Sequence, residues 1–210
     1  MKIIVFGASR GVGRLLTEKA LEEGHQVTAF ARNPASLNLT HPSLDIVGGD
    51  VTDAGCVAQS LAGHEVAFLT VGADRQPNAT TLFSTAARNI TRAMDTQGVR
   101  RLVFLANFGL LTENGSGLRT AGLVWMAKMF MRGMLADQRR AFDAIQQSDG
   151  EWIVVRPMPF TNGPRTGIYR IALEGLPAGG THISRADVAD FMLKQVSSAQ
   201  YVQKTPGLAY

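Results

Sequence analysis

The chain has 210 residues, 45% of them hydrophobic and 18% charged, which suits one domain with its own core and excludes a disordered polymer. The net charge of +4 is scattered, and aromatic residues are not interleaved with the basic ones. That argues against a nucleic-acid platform and for anionic small ligands. The single cysteine, Cys56, rules out an internal disulfide framework and fits a reducing cytoplasm.

KIIVF (2–6) is the first predicted strand. Its apolar run is too short for the h-region of a secretory signal, and Arg10 and Arg14 follow soon after. GASRGVGR, Gly7 to Arg14, comes next and opens a predicted helix over 11–23. Gly7 allows a sharp turn off the strand. Gly11 and Gly13 allow close approach of a pyrophosphate and of the helix to the sheet, and the helix start offers free N–H groups. The stretch is read as a dinucleotide site built from Gly7, Ser9, Arg10, Gly11, Val12 and Gly13, against the alternative of a glycine-rich structural turn.

QVTAFA (26–31) is the second strand, and no acid stands at its end to hold ribose hydroxyls. Arg32 is placed instead for a 2′-phosphate, with Arg10 beside it, so NADPH is the expected cofactor. After the third strand, LDIVGG (44–49), Asp50 is a candidate for the adenine amino group and Val51 for the ring, while Asp53 suits a helix cap. A helix over 54–62 and the strand EVAFLTV (65–71) lead to Val71, Gly72 and Ala73, small residues over which a cofactor can pass.

A helix over 79–97 precedes the strand RLVFLA (101–106) and the candidate substrate-side residues Asn107 and Phe108. No uncharged run reaches the ~18 residues that span a bilayer. The longest apolar stretch, 121–136, contains Lys128 and Arg132; it reads as a lid over an aromatic substrate, a homo-oligomer interface or a membrane-surface contact. A helix over 136–148 and the strand EWIVVR (151–156) come next, and Arg156, Pro157, Met158, Pro159 and Phe160 are expected, with Asn107, Phe108 and Gly109, to flank the nicotinamide. Phe108 and Phe160 either stack on a flat ring or belong to the core, and Asn107 either binds or satisfies its own loop. GIYRIAL (167–173) is a possible strand, and Ser184 is set to cap a last helix whose Asp187 and Asp190 favour its dipole. The histidines His25, His41, His64 and His182 lack metal-ligand spacing, so no metal is assigned, and a solvated role is the default for most of them.

Near-continuous apolar strands alternating with helices predict an α/β, Rossmann-type, doubly wound and mostly parallel sheet with helices on both faces. One domain is expected over 1–210, with substrate-side elements in 107–136 and 157–183.

GASRGVG, HQVTAFARNPASL, GGDVTD, TTLFSTAARNI, TGIYRIALEG and ISRADVADFML together resemble the atypical branch of the short-chain dehydrogenase/reductase superfamily. The similarity is to its biliverdin reductase B (NADPH flavin reductase) group in order and spacing over nearly the whole chain, and NmrA-like redox sensors share the layout. The resemblance implies an NADPH-dependent oxidoreductase that passes hydride to a flavin (FMN or FAD, as substrate) or another flat acceptor such as a quinone or tetrapyrrole. The alternatives are a non-catalytic NADP(H)-binding sensor and, further off, a nucleotide-sugar epimerase. Three departures stand out. No tyrosine among Tyr169, Tyr201 and Tyr210 has a lysine four residues on, which removes the usual proton-donating pair. Asn107 and Pro159 stand where the resemblance places a serine and a histidine, and Arg10 stands where it places a glycine.

Overall fold

The computed structural model describes residues 1–72, 81–111 and 129–210. β1 (Lys2–Phe6) shows why the sheet is covered on both sides. Ile3 and Val5 enter one apolar layer while Ile4 and Phe6 enter the other. The first layer is closed by α1 (Gly11–Glu22) through Leu16 and Ala20 and by α5 (Arg185–Lys194) through Val188, Phe191 and Met192. The second is closed by α2 (Ala54–Leu61), α3 (Leu82–Gln97) and α4 (Arg132–Gln146), which supply Leu61, Ile90 and Phe142 among others. Period-two alternation along buried strands thus builds two cores around one sheet.

The remaining strands are β2 (Gln26–Ala31), β3 (Leu44–Gly48), β4 (Val66–Leu69), β5 (Arg101–Leu105), β6 (Glu151–Pro157), β7 (Phe160–Thr161), β8 (Arg170–Ala172), β9 (Ile183–Ser184) and β10 (Gly207–Ala209). The main sheet runs β3-β2-β1-β4-β5-β6-β10-β8, parallel except for β8, and β7 pairs with β9 separately. This is the expected α/β Rossmann-like fold. The chain winds outward in both directions from β1 and β4, so their carboxyl ends diverge into a crevice. Register holds those ends level: Phe6 lies opposite Phe30 and Leu69, and Leu69 opposite Phe104.

Several sequence expectations need correction. LDIVGG is not a buried strand but a half-covered sheet edge, with Ile46 exposed. The helix expected over 136–148 starts a turn earlier, at Arg132, and ends at Gln146. Of GIYRIAL only Arg170–Ala172 pairs, antiparallel to β10; Ile168 is 82% exposed and lies outside the strand. β10 itself is too short to leave an alternating pattern in sequence. Among the described residues no helix is long and apolar enough to cross a membrane.

Asp187 and Asp190 are more than dipole partners, because both are fully buried and brace a loop. Asp187 accepts hydrogen bonds from the Thr166 and Gly167 amides, at 3.0 and 2.7 Å, and from the Tyr210 hydroxyl. Asp190 meets Arg165 at 2.6 Å, Lys194 at 2.7 Å and, across from α1, Lys19 at 3.3 Å. Burial pushes both carboxyls up. For Asp187 the Tyr210, Gly167 and Thr166 donors outweigh it, and for Asp190 the surrounding cations do, so both end below the usual carboxylate value.

Candidate functional site

Beyond Phe6 the chain turns at Gly7, whose φ is +94°; a Cβ there would lie 2.8 Å from the Val71 amide nitrogen. Gly13 is tighter, since a Cβ would stand 2.3 Å from the Gly7 carbonyl oxygen and 2.4 Å from Thr70 Oγ1. These two contacts let α1 abut the ends of β1 and β4. Arg10 occupies the cap position of α1 in an extended conformation, and no side chain caps the first-turn N–H groups. In α2 and α5 that task is done by Asp53 and Ser184. The start of α1 therefore presents backbone donors and a partial positive charge to the crevice.

The crevice has two chambers. The first, of about 490 Å³, lies between Gly7, Ser9 and Arg10 on one side and Arg32, Asn33 and Ser36 on the other, over Phe30 and Val51. The second, of about 600 Å³, is bounded by Gly11 and Val12, by Asn107 and Gln138, and by Phe160 and Arg185. Arg10, Thr70, Val71 and Gly72 line both, so the chambers meet over the point where the sheet order reverses. This form suits a two-headed ligand with its anionic middle at the start of α1. Among the described lining residues the first chamber holds Arg10 and Arg32 and no carboxylate. The second holds Arg10 and Arg185 and no carboxylate, histidine, tyrosine, lysine or cysteine.

The structure gathers most of the residues singled out from sequence. Gly7, Ser9, Arg10, Arg32, Val51, Val71 and Gly72 line the first chamber, and Gly11, Val12, Asn107 and Phe160 the second. Gly13 stands behind them at the contact of helix and sheet. Asp50 is exposed and outside the described lining; its Oδ1 accepts from the Thr52 amide at 2.8 Å and hydroxyl at 2.7 Å. Those bonds, with the charge of Arg32, hold its carboxyl below the usual range. Ala73 lies outside the described residues, as does 112–128, which includes the first half of the apolar stretch.

Two of the substrate-side candidates are elsewhere. Phe108 and Met158 are buried together with Leu176 and Ala209 rather than lining the chamber, and Pro157 is buried in β6. The cause is β10: Met158 continues the pairing by donating its amide to Leu208 O at 2.9 Å, which tucks its side chain into the core. Asn107 remains at the wall, fixed from both sides. Its amide nitrogen donates to Gln138 Oε1 at 2.9 Å, and its Oδ1 accepts from the Gly109 amide at 2.9 Å. Of the stretch 121–136, Met131 and Met134 line the second chamber while Met129 and Phe130 are exposed.

Asn33, Ser36, Thr70, Gln138, Asn162 and Arg185 were not legible as site residues. Only Arg185 carried a signal, its place directly after a helix cap beside the glycine-loop helix. Tyr169 is half-buried, and burial first, then Asp190 and Asp187, push its hydroxyl up to about 12, the wrong direction for a proton donor. His64 departs from the solvated default. It is buried 2.8 Å from Thr28 Oγ1, and desolvation lowers its pKa, which favours a neutral core imidazole.

A sequence profile of the family described as NAD(P)H-binding matches residues 7–199. A 3-beta-hydroxysteroid dehydrogenase from Mycolicibacterium neoaurum is 31% identical over 117 residues, which is 50% of this chain and 32% of that protein. The chain thus spans about a third of this curated relative's length. Among solved structures, an anaerobillin reductase from Escherichia coli aligns with a TM-score of 0.81 and 21% identity, covering 100% of this chain and 97% of the other. A short-chain dehydrogenase/reductase from Veillonella parvula, solved in complex with NADP, aligns with a TM-score of 0.80 and 18% identity, covering 100% and 94%. At these identities the structures establish the shared fold.

Proposed function

Since this chain belongs to the NAD(P)H-binding family, we propose that it is an NADPH-dependent reductase that passes hydride to a flavin or another flat, electron-poor acceptor, a quinone or a tetrapyrrole included. The observation that carries this reading is the chemistry of the second chamber. Its described lining offers apolar surface, the hydroxyl of Thr70, three amides and two arginines, but no group able to deliver a proton near neutral pH. Ketone reduction needs such a group. A flavin does not, because its reduced ring takes its proton from water. The neighbouring anaerobillin reductase keeps a tetrapyrrole among the acceptor classes.

The chain's residues divide the work by position. Gly7, Ser9, Arg10, Gly11, Val12 and Gly13 would cradle the pyrophosphate, Arg10 and Arg32 the 2′-phosphate, and Asp50 and Val51 the adenine. Val71, Gly72 and Asn107 would form the path of the nicotinamide half. Bound in this way, the cofactor supplies the hydride. Asn107, locked by Gln138 and Gly109, gives the chamber a positioned amide, while Met131, Met134 and Phe160 give it an apolar, adaptable face for a ring system. Among the described residues the acceptor-facing ones would be Asn107, Met131, Met134, Gln138 and Phe160.

Two results are expected. Arg32→Ser weakens NADPH binding by about 10-fold and leaves NADH binding nearly unchanged, since a charge-assisted bond to the 2′-phosphate is what it removes, whereas Arg10→Ser weakens both and NADPH the more, because Arg10 also meets the shared pyrophosphate. Titration of both nucleotides against each variant checks this; equal losses for NADH and NADPH would remove the case for a 2′-phosphate site. Second, kcat with NADPH and FMN is flat from about pH 6 to about pH 9. A sharp break in that range would reveal a protein acid that this reading omits.

A further inference from the structure

Arg185 is the first residue of α5, yet it reaches back over the glycine loop. Its Nε lies 3.9 Å from the point where a Cβ on Gly11 would stand. Its guanidinium carbon sits 5.0 Å from the centre of the Phe160 ring, and Nη1 donates to Asn162 Oδ1 at 2.6 Å. Among the described residues no carboxylate is within ion-pair distance of it, whereas Arg100, Arg101 and Arg165 each meet one. A half-buried guanidinium stacked on a ring, held by a side-chain amide and aimed over a helix start is oriented for an anion rather than free to wander in solvent.

The mounting is rigid for reasons that lie outside the chamber. β7 pairs with β9, setting Phe160 opposite Ile183 and Thr161 opposite Ser184, so the ring and the arginine are held side by side. Ser184 caps α5, and Asp190 ties α5 to Lys19 of α1. The helix that carries Arg185 is thereby pinned to the helix whose N–H groups face the crevice.

From this geometry we infer that Arg185 is a clasp for the dinucleotide's pyrophosphate, reaching it from α5 beside the α1 N–H groups. The inference rests on the cofactor reading above and deepens it. The α1 start and Arg10 meet the phosphates from the glycine loop, and Arg185 meets them from the last helix of the fold. Phe160 and Asn162 act as its shelf. Arg185 is a binding residue in this account, and Phe160 a positioning one.

The test titrates the full chain and its Arg185→Gln, Arg185→Lys and Phe160→Leu variants with three ligands. These are NADP+, 2′-phospho-ADP-ribose, which keeps the pyrophosphate, and adenosine 2′-monophosphate, which lacks it. Arg185→Gln is expected to bind the first two about 10- to 100-fold more weakly and the third unchanged. Arg185→Lys recovers part of the loss, and Phe160→Leu reproduces the pattern with smaller amplitude. Equal loss for all three ligands would mean a structural role and overturn the clasp. Unchanged NADP+ affinity, with a raised KM for FMN but not for riboflavin, would also overturn it and move Arg185 to the acceptor. If Arg185→Gln does not fold, Phe160→Leu decides between the same outcomes. Wild-type protein that binds no NADP+ would bring down the cofactor reading together with the clasp, whereas variants that match a nucleotide-binding wild type would bring down the clasp alone.

Discussion

Gly13→Ala is expected to raise the dissociation constant for NADP(H) by at least about 100-fold and to destabilise the fold by about 1–3 kcal/mol. The added methyl would stand 2.3 Å from the Gly7 carbonyl oxygen and 2.4 Å from Thr70 Oγ1, well inside contact distance. Neither neighbour has room to yield. Gly7 O belongs to a turn held at φ +94°, and Thr70 Oγ1 is committed to Phe6 O by a buried hydrogen bond of 2.9 Å. The strain is relieved only by moving α1 away from the sheet, and the N–H groups at its start move with it. Gly24→Ala is the control. Unlike Gly13 it has a positive φ, +80°, but nothing lies within 4 Å, so it should lose about 1 kcal/mol of stability and no nucleotide affinity. Nucleotide titration and thermal melts on both variants check the pair. Gly13→Ala with wild-type affinity would show that close packing of helix on strand is not what positions the loop.

Arg156→Leu is expected to lower stability by about 3–5 kcal/mol and the melting temperature by about 10 °C. Arg156 is only 1% exposed, and burial pushes its pKa down to about 10, so it remains charged at neutral pH. Its three nitrogens donate to three carbonyls: Nε to Thr205 at 2.9 Å, Nη1 to Leu111 at 2.9 Å and Nη2 to Gly175 at 2.8 Å. One side chain thus joins the lead into β10, the segment after β8 and the end of the loop beyond Asn107. Leucine fills part of the volume and leaves three part-buried acceptors without their donor. Lysine does not rescue it, because a single ammonium cannot reproduce the planar fork. A melting temperature within about 2 °C of wild type would mean that the three segments are held by packing alone.

The parts of this fold legible in sequence were those set by local pattern. KIIVF and QVTAFA read as strands because the residues after Lys2 and Gln26 are, Thr28 apart, apolar enough to be buried on either face, and GASRGVGR read as a turn into a helix because glycine spacing is a backbone property. The parts that escaped depend on partners far away along the chain. Arg156, at a strand end, looked like a residue of the crevice; its three carbonyl partners come from three separate loops. Asp137, on α4, is fully buried and accepts from the Phe83 amide at 2.8 Å, capping α3 in place of Thr81. Phe108 and Met158 looked available for a substrate until β10, three residues long, claimed the ground beneath them. Arg185 and Phe160 meet only because two short strands pair. In each case the composition is compatible with the outcome, but tertiary contact decides it.

The proposed reaction brings NADPH, held across the two chambers, to an acceptor that needs no protein acid. Its most direct test is NADPH consumption by purified protein with excess FMN, run beside NADH and with the Gly13→Ala variant as the blank. The expected result is protein-dependent turnover that favours NADPH and vanishes in the variant. Tight NADPH binding with no nucleotide consumed on FMN, a quinone or a linear tetrapyrrole would contradict it, and would make the chain a sensor that only binds.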